Sequence, residues 1–383
     1  MMRKLIAWAT LVLLVVACGK KQQGAADGGS STADTDSTSI VVKYAEGFRV
    51  NQRPDGVRLV DISDPQKGAE GHVYHFALVP RGQQPEGLPD GYQPIAVPIS
   101  KCIAMTTLQL AGFIAIDALD YVSGVTSTHN LKNRDVKARI ADGRIMKIGI
   151  EGNFDQELIL AAQPDVIFIS PFKRGGYDAL TDMGQTLVPY LGYKEMTALG
   201  QAEWVKFLGL FIGMERQANA YFAQIEQRYQ ALCQLTKDVA QRPTVMSGEM
   251  HGGQWYAVGG RNSLAQLFRD AGAEYVLKDN QDTGGVNLDF EEHYAQAANA
   301  DFWRILNSYK GDFSYDVLRE SDARYADFKA FQQKHVLYCN MRESAYYEQA
   351  PMHPDQLLAD LVFAFHPELM PKDYQPVFYR LLK

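Results

Sequence analysis

From Val97 onward, short apolar runs alternate with stretches of helical periodicity, and this alternation occurs twice. Strands that alternate with helices imply a parallel sheet covered on both faces, and no short repeat suggests a solenoid. In the first series, Ile103-Ala104-Met105 reads as a strand end and residues 107–119 as a helix with Leu108, Ala111, Phe113 and Ile114 apolar. Val122-Ser123-Gly124-Val125 is the next strand; a helix over 154–162 leads to the buried strand Val166-Ile167-Phe168-Ile169. A helix over 177–183 and a strand over 186–190 close the series. The second series places strands at 243–247 and 336–339 and helices at 264–271 and 355–365. Between the two, Trp204, Phe207, Leu208 and Phe211 keep helical spacing. Gly213 interrupts, and Ala218, Tyr221, Phe222, Ile225, Tyr229 and Leu232 resume it. The expected organisation is an α/β chain of two lobes, 99–214 and 238–383, joined by one long helix over 215–237. Ahead of them, residues 40–98 read as a small β-rich extension, with strand candidates at 40–44, 56–60 and 73–79 and a Pro-rich loop over 83–94.

The N-terminus assigns a compartment. Arg3 and Lys4 precede an apolar run from Leu5 to Ala17, too short to span a bilayer, which takes about 20 residues. A basic start and a short apolar core describe a signal peptide over 1–17. The run ends Val15-Val16-Ala17-Cys18-Gly19, which looks like a bacterial lipobox with Cys18 lipidated as the first mature residue. After Cys18, residues 19–39 are Gly, Ser, Thr, Asp, Lys, Gln and Ala, with no aromatic and no large aliphatic side chain. Such a stretch cannot offset its chain entropy by burial and reads as a tether. Cys102, Cys233 and Cys339 lie in apolar contexts and are expected to be buried and unpaired. No CxxC pair occurs, so zinc-ribbon and thioredoxin readings lack support. A net charge of −7 argues against a nucleic-acid partner. There is no P-loop and no G-x-S-x-G elbow.

Several segments, in order, resemble one family. Glu157-Leu158-Ile159-Leu160-Ala161-Ala162-Gln163-Pro164-Asp165-Val166-Ile167, with Gly149 before it, is similar to the "E-x-I-x-x-L-x-P-D-L-V" segment of substrate-binding proteins of iron–siderophore and vitamin B12 ABC importers. Leu208-Gly209-Leu210-Phe211-Ile212-Gly213 followed by Ala218 resembles that family's approach to its interlobe helix, and Leu267 to Ala273 its "L-L-x-x-A-G-G". Phe290-Glu291 with Ala300-Asp301 echoes the second lobe's "E … P-D", although Ala300 stands where Pro is usual. Pro354-Asp355, Leu357-Leu358 and His366-Pro367-Glu368-Leu369 resemble the C-terminal helix of Bacteroidetes-type members. The resemblance covers roughly residues 97 to 370. It implies two Rossmann-like lobes, a ligand held between them, no catalysis and no cofactor. It also implies a periplasmic, lipid-anchored monomer whose partners are an ABC permease and its ATPase. The cargo would be a metal chelate: a ferric siderophore, haem or a cobamide.

The resemblance further implies one docking carboxylate on each lobe, at Glu157 and at Glu291 or Glu292, to meet permease arginines; each also sits where a carboxylate favours a helix N-terminus. Ligands in open α/β sheets lie beyond the carboxyl ends of strands. The residues expected there are Thr107, His129, Phe172, Lys173, Arg174, Tyr193, Glu195, His251, Trp255, Tyr256, Arg342 and Tyr346. Aromatic rings among them suit a corrin or catechol face, and the cations suit an anionic chelate. The eight histidines do not cluster; His129 and His251 could converge with Glu195, but satisfied or exposed histidines are the commoner case and no metal site is expected. Two other classes stay open: an exported chelatase-like or hydrolytic enzyme on a related scaffold, and a surface lipoprotein that works beside an outer-membrane receptor.

Overall fold

The computed structural model describes residues 38–126, 131–150, 152–171 and 177–383. The expected signal peptide 1–17, Cys18 and the tether up to residue 37 lie outside the described residues. Two separate five-stranded sheets form the lobes, as the doubled alternation requires. In the first, Leu187–Pro189, Val166–Ile169, Cys102–Ala104, Val122–Val125 and Met146–Lys147 lie side by side in that order, all parallel. In the second the order is Glu274–Tyr275, Thr244–Ser247, Phe302–Asn307, Val336–Asn340 and Arg380–Leu381, with only the last antiparallel. Val166–Ile169 and Val336–Asn340 are buried at every position, the signature of a parallel strand covered on both faces.

The lobes are joined through two successive helices. Ala198–Ile212 is buried along almost its whole length. It ends at Gly213, whose φ of 70° terminates the helix in the left-handed region. Glu215–Thr236 follows as an amphipathic helix of 22 residues, about 33 Å long at the standard rise. It packs on Ala198–Ile212 behind it and on Pro354–Phe365 of the second lobe. One contiguous core runs from Phe48 and Val60 of the extension through Phe113, Phe207 and Phe222 to Leu358 and Val362. A rigid rod set in a shared core favours small hinge or shear motions over wide opening.

Several elements differ from the expectation. The extension is a four-stranded sheet of Phe48–Gln52, Arg58–Ser63, Val73–Pro80 and Gln93–Val97, with the last pair parallel. Residues 40–44 are not a strand. The backbone N–H groups of Lys43, Tyr44 and Ala45 instead donate to the Glu203 carboxylate, at 2.6 to 3.0 Å, so no neighbouring strand can take them. The helix expected over 107–119 stops at Ala115. The one expected over 154–162 begins at Gln156, because Asn153–Phe154 pairs with Gly149–Ile150 in a small hairpin. The central strand Phe302–Asn307 and an antiparallel sheet of Glu249–His251, Gln254–Val258 and Gly285–Leu288 were not anticipated. Cys102 and Cys339 are buried, Cys233 is partly exposed, and all three are free.

Candidate ligand-binding cleft

A cavity of about 390 Å³ opens where the carboxyl ends of strands from both sheets meet. The first lobe contributes Thr106, Thr107 and Leu108, which follow strand Cys102–Ala104; Ser170, which follows Val166–Ile169; and Tyr193, beyond Leu187–Pro189. The second lobe contributes Met341 and the run from Ser344 to Glu348, which follow Val336–Asn340. The volume lies within the usual range for a small-molecule site.

On the first-lobe wall, helix Thr107–Ala115 opens with a capping box. The Thr106 hydroxyl accepts from the Gln109 N–H at 3.3 Å, and Gln109 Oε1 accepts from the Thr106 N–H at 3.1 Å. Gln109 is fully buried, and its Nε2 donates to Ser170 Oγ at 3.3 Å, so it links the lining residues Thr106 and Ser170. On the second-lobe wall, Tyr346 and Tyr347 meet edge to face, with centroids 5.5 Å apart. Burial raises the Tyr347 phenol above its ordinary value, so it stays a neutral donor at neutral pH. The two walls are tied by Glu348. Its carboxylate accepts the backbone N–H groups of Lys132 and of Asn133, the latter at 2.6 Å, and Asn133 in turn caps helix Arg134–Ala141. Among the described residues, no three His, Cys, Asp or Glu side chains converge as a metal-holding group.

Residues 103–342, which hold most of both sheets and the first-lobe wall of the cleft, match the family described as periplasmic binding protein. The chain belongs to that family. Among its relatives is an uncharacterized lipoprotein of Methanocaldococcus jannaschii, 26% identical over 298 residues that cover 74% of this chain and 69% of the relative. A periplasmic binding protein from Veillonella parvula superposes with a TM-score of 0.58 at 13% identity, over 84% of this chain and 98% of that one. A periplasmic heme-binding protein from Roseiflexus sp. RS-1, solved in its apo form, does so with a TM-score of 0.52 at 17% identity, over 71% of this chain and 99% of that one. No helix among the described residues is long and apolar enough to cross a membrane.

Within this binding protein the residues expected at the cleft divide into groups. Thr107, Tyr193 and Tyr346 line the cavity. His129, Phe172, Lys173 and Arg174 lie outside the described residues. Tyr256 is half-exposed and lies over Gly285, where an added Cβ would meet its hydroxyl at 2.1 Å. His251 is exposed at the end of its strand. Arg342 is exposed and does not line the cavity, although Met341 and Ser344 on either side of it do; its Nε donates to the Ser308 carbonyl at 2.6 Å.

Two placements correct the expectation outright. Trp255 is fully buried and stacks on His293 with centroids 4.2 Å apart. Its segment is a strand rather than a loop, and on strand Gln254–Val258 the odd position faces inward while Tyr256 faces out. Glu195 is also a core residue: it accepts the N–H groups of Glu46 and Gly47 and the indole N–H of Trp204, at 2.8 to 3.1 Å. Burial pushes its carboxyl up despite those donors. It clamps the N-terminal segment. Sequence reasoning missed Ser170 and Glu348. Ser170 directly follows a recognised strand and was open to the same rule that found Thr107; Glu348 meets residues more than 200 positions away, which no local pattern encodes.

Glu157 is exposed in the first turn of helix Gln156–Ala162, after the N-cap Asp155. Glu291 and Glu292 are exposed in the first turn of helix Phe290–Ala297, after the N-cap Asp289. In both helices the aspartate cap itself satisfies a terminal N–H.

Proposed function

We propose that the chain is the cargo-capturing component of an ABC importer, held at a membrane by lipid on Cys18, and that it carries a metal chelate in the interlobe cleft to a permease and its ATPase. The observation that carries this reading is the cavity built at once from strand ends of both lobes and walled by Tyr193, Tyr346 and Tyr347. Tyrosine rings present apolar faces to a planar or aromatic ligand and hydroxyls to its polar rim. The heme-binding neighbour adds support for a chelate. The lipoprotein relative does so for an extracytoplasmic, anchored location. Working as a monomer, the protein would present Glu157 on one lobe and Glu291 or Glu292 on the other to basic side chains of the permease.

Two experiments test it. Titration of the mature protein with haem, a ferric siderophore and cobalamin should quench intrinsic fluorescence saturably for at least one of them. Tyr193→Ala should weaken that ligand roughly tenfold through loss of ring contact. Absence of quenching by all three removes the chelate reading. In reconstituted vesicles with the cognate permease, Glu157→Lys and the double change Glu291→Lys with Glu292→Lys should each cut uptake by about tenfold at saturating ligand. Uptake at the wild-type rate would remove the docking assignment.

A further inference from the structure

Behind the second-lobe wall sits a cation with no anion. Arg304, on the central strand Phe302–Asn307, is 8% exposed. Among the described residues no carboxylate lies within ion-pair distance of its guanidinium. Glu249 is the carboxylate that feels its charge, without touching it. A buried charge costs several kcal/mol unless it is paired and hydrogen-bonded. Here the direct partner is a phenol: Arg304 Nε and Nη2 both donate to the Tyr379 hydroxyl, at 2.8 and 2.5 Å. Tyr379 is itself buried, and its hydroxyl donates to the Tyr346 hydroxyl at 3.3 Å. Tyr346 lines the cleft.

The direction of this chain is fixed by its first member. Arginine has no acceptor, so the Tyr379 oxygen receives both guanidinium bonds and fills its two lone pairs. Its proton can only point onward, to the Tyr346 oxygen. The Tyr346 proton then has nowhere to go within the chain, and no described residue accepts it. It is left to donate into the cavity. Each bond polarises the next in the same sense, so part of the buried positive charge is felt at the cleft surface. The neighbouring first-lobe wall has the same polarity, because the helix that starts at Thr107 turns its positive end toward the cavity.

We propose that Arg304, Tyr379 and Tyr346 form a one-way hydrogen-bond chain that makes the Tyr346 hydroxyl an obligate donor, so that the cargo presents an anionic oxygen to this wall. Tyr346 is the contacting residue; Tyr379 and Arg304 are positioning residues. The inference rests on the cleft reading above and narrows it: a chelate with a carboxylate or another oxyanion on its rim is preferred over a neutral one. Oxyanion oxygen has two sources here, a carboxylate on an organic chelate or an inorganic oxyanion, and both use the same donor.

The test uses the mature full-length protein with four probes: haem, which carries two propionates; ferric citrate; sodium molybdate as an inorganic oxyanion; and cobalamin, whose corrin rim carries amides, its one oxyanion being the phosphodiester of the nucleotide loop below the ring. Calorimetric titration of the wild type should show binding of at least one anionic probe more tightly than cobalamin, and which one binds separates the two sources. Tyr346→Phe should weaken that probe tenfold or more, the effect of losing a hydrogen bond to a charged group. Tyr379→Phe should weaken it several-fold without touching the ligand, with cobalamin affinity moved less than twofold. That selectivity distinguishes a positioning role from a merely structural one. Arg304→Met risks the fold, so the two phenylalanine variants decide the matter, each with its melting temperature recorded. Anionic affinity within twofold of wild type in both variants, or cobalamin as the tightest probe, overturns the chain. If Tyr193→Ala still weakens binding in that case, the cleft reading survives and only this inference falls. If no probe binds the wild type, both fall together.

Discussion

Glu203→Ala is expected to destabilise the protein by about 3–5 kcal/mol, the cost of stripping one partner from a buried ion pair. Glu203 is fully buried in helix Ala198–Ile212. Its carboxylate accepts Lys206 Nζ at 2.7 Å together with the three N–H groups of residues 43 to 45. Lys206 is almost as buried; its ammonium also reaches the Val41 carbonyl at 2.8 Å and the face of Phe222 at 4.4 Å. Removal of the carboxylate leaves that ammonium without its counter-charge and three backbone donors without acceptors. Glu203→Gln should cost less, because one oxygen still accepts, but its amide N–H₂ would face a cluster of donors. The measurement is the shift of the urea midpoint at constant slope. Limited proteolysis supplies a second readout: cleavage within residues 38 to 47 should appear in Glu203→Ala well before cleavage elsewhere. A loss below about 1 kcal/mol would show that the segment is held by its apolar contacts alone.

This network also gives the β extension a mechanical role. Glu203 and Glu195 hold the segment 43–47 against the buried helix, and Arg58 pairs with Glu215 at 2.8 Å at the start of the bridging helix. The bond from the Ile99 N–H to the Phe211 carbonyl, 2.7 Å, seals the junction from the other side. The extension therefore splints the point where the two joining helices meet, at Gly213. A splint there resists bending of the rod and keeps the cleft walls in register, which suits a largely preformed site.

What the sequence reveals follows the range of the interactions. The parallel strands and the joining helices are set by local periodicity and burial, so Val122–Val125, Val166–Ile169 and the helix resumed after Gly213 were readable from spacing alone. The hairpin before Trp255 was readable too and was passed over. Gly252 and Gly253 adopt φ of 60° and 87°, the two positive values of a type I′ turn, and a Gly-Gly pair between two short β-prone runs is its signal. Recognition of that turn would have placed Trp255 on a strand and turned it inward. Residues 40–44 failed for the opposite reason: their composition suits a strand, but a carboxylate 159 or more positions away captures the donors of Lys43 and Tyr44. The rule of strand ends led to Thr107, Tyr193 and Tyr346, which line the cavity, while the Arg304–Tyr379 support behind them joins residues 75 positions apart. Such second-layer contacts leave no trace in periodicity.

The second large effect is acid instability centred on His293. Its ring is fully buried between Trp255, at a centroid distance of 4.2 Å, and Phe328, at 6.3 Å, and neither ring nitrogen has a hydrogen-bond partner among the described residues. Burial without a partner lowers its pKa from 6.5 to about 4. The unfolded chain therefore binds a proton below pH 6.5 that the folded chain refuses until about pH 4. Stability contributed by the neutral ring is fully present above pH 6.5 and is lost as the pH falls through that window, by about 3 kcal/mol in total. Buried carboxyls act in the opposite sense. Glu195, Asp270 and Asp360 have carboxyls raised by burial, so the folded state takes up their protons first and gains stability on acidification. The wild-type profile sums these slopes, and a variant isolates the histidine. His293→Phe and His293→Leu keep an apolar ring or branch against Trp255 and remove the titration. Their urea midpoints, measured from pH 7.5 down to pH 4.5, should fall less than the wild type's, with the gap closing by roughly 2–3 kcal/mol across the range. Parallel curves for wild type and both variants would mean that the ring gains a proton partner on acidification, and a His293 that takes up its proton in the folded state should then show it by NMR as a ring titration near pH 6 or above. Because Trp255 and Trp303 share this aromatic cluster beneath the strand that carries Arg304, loss of the cluster at low pH should also loosen the wall that holds Tyr379.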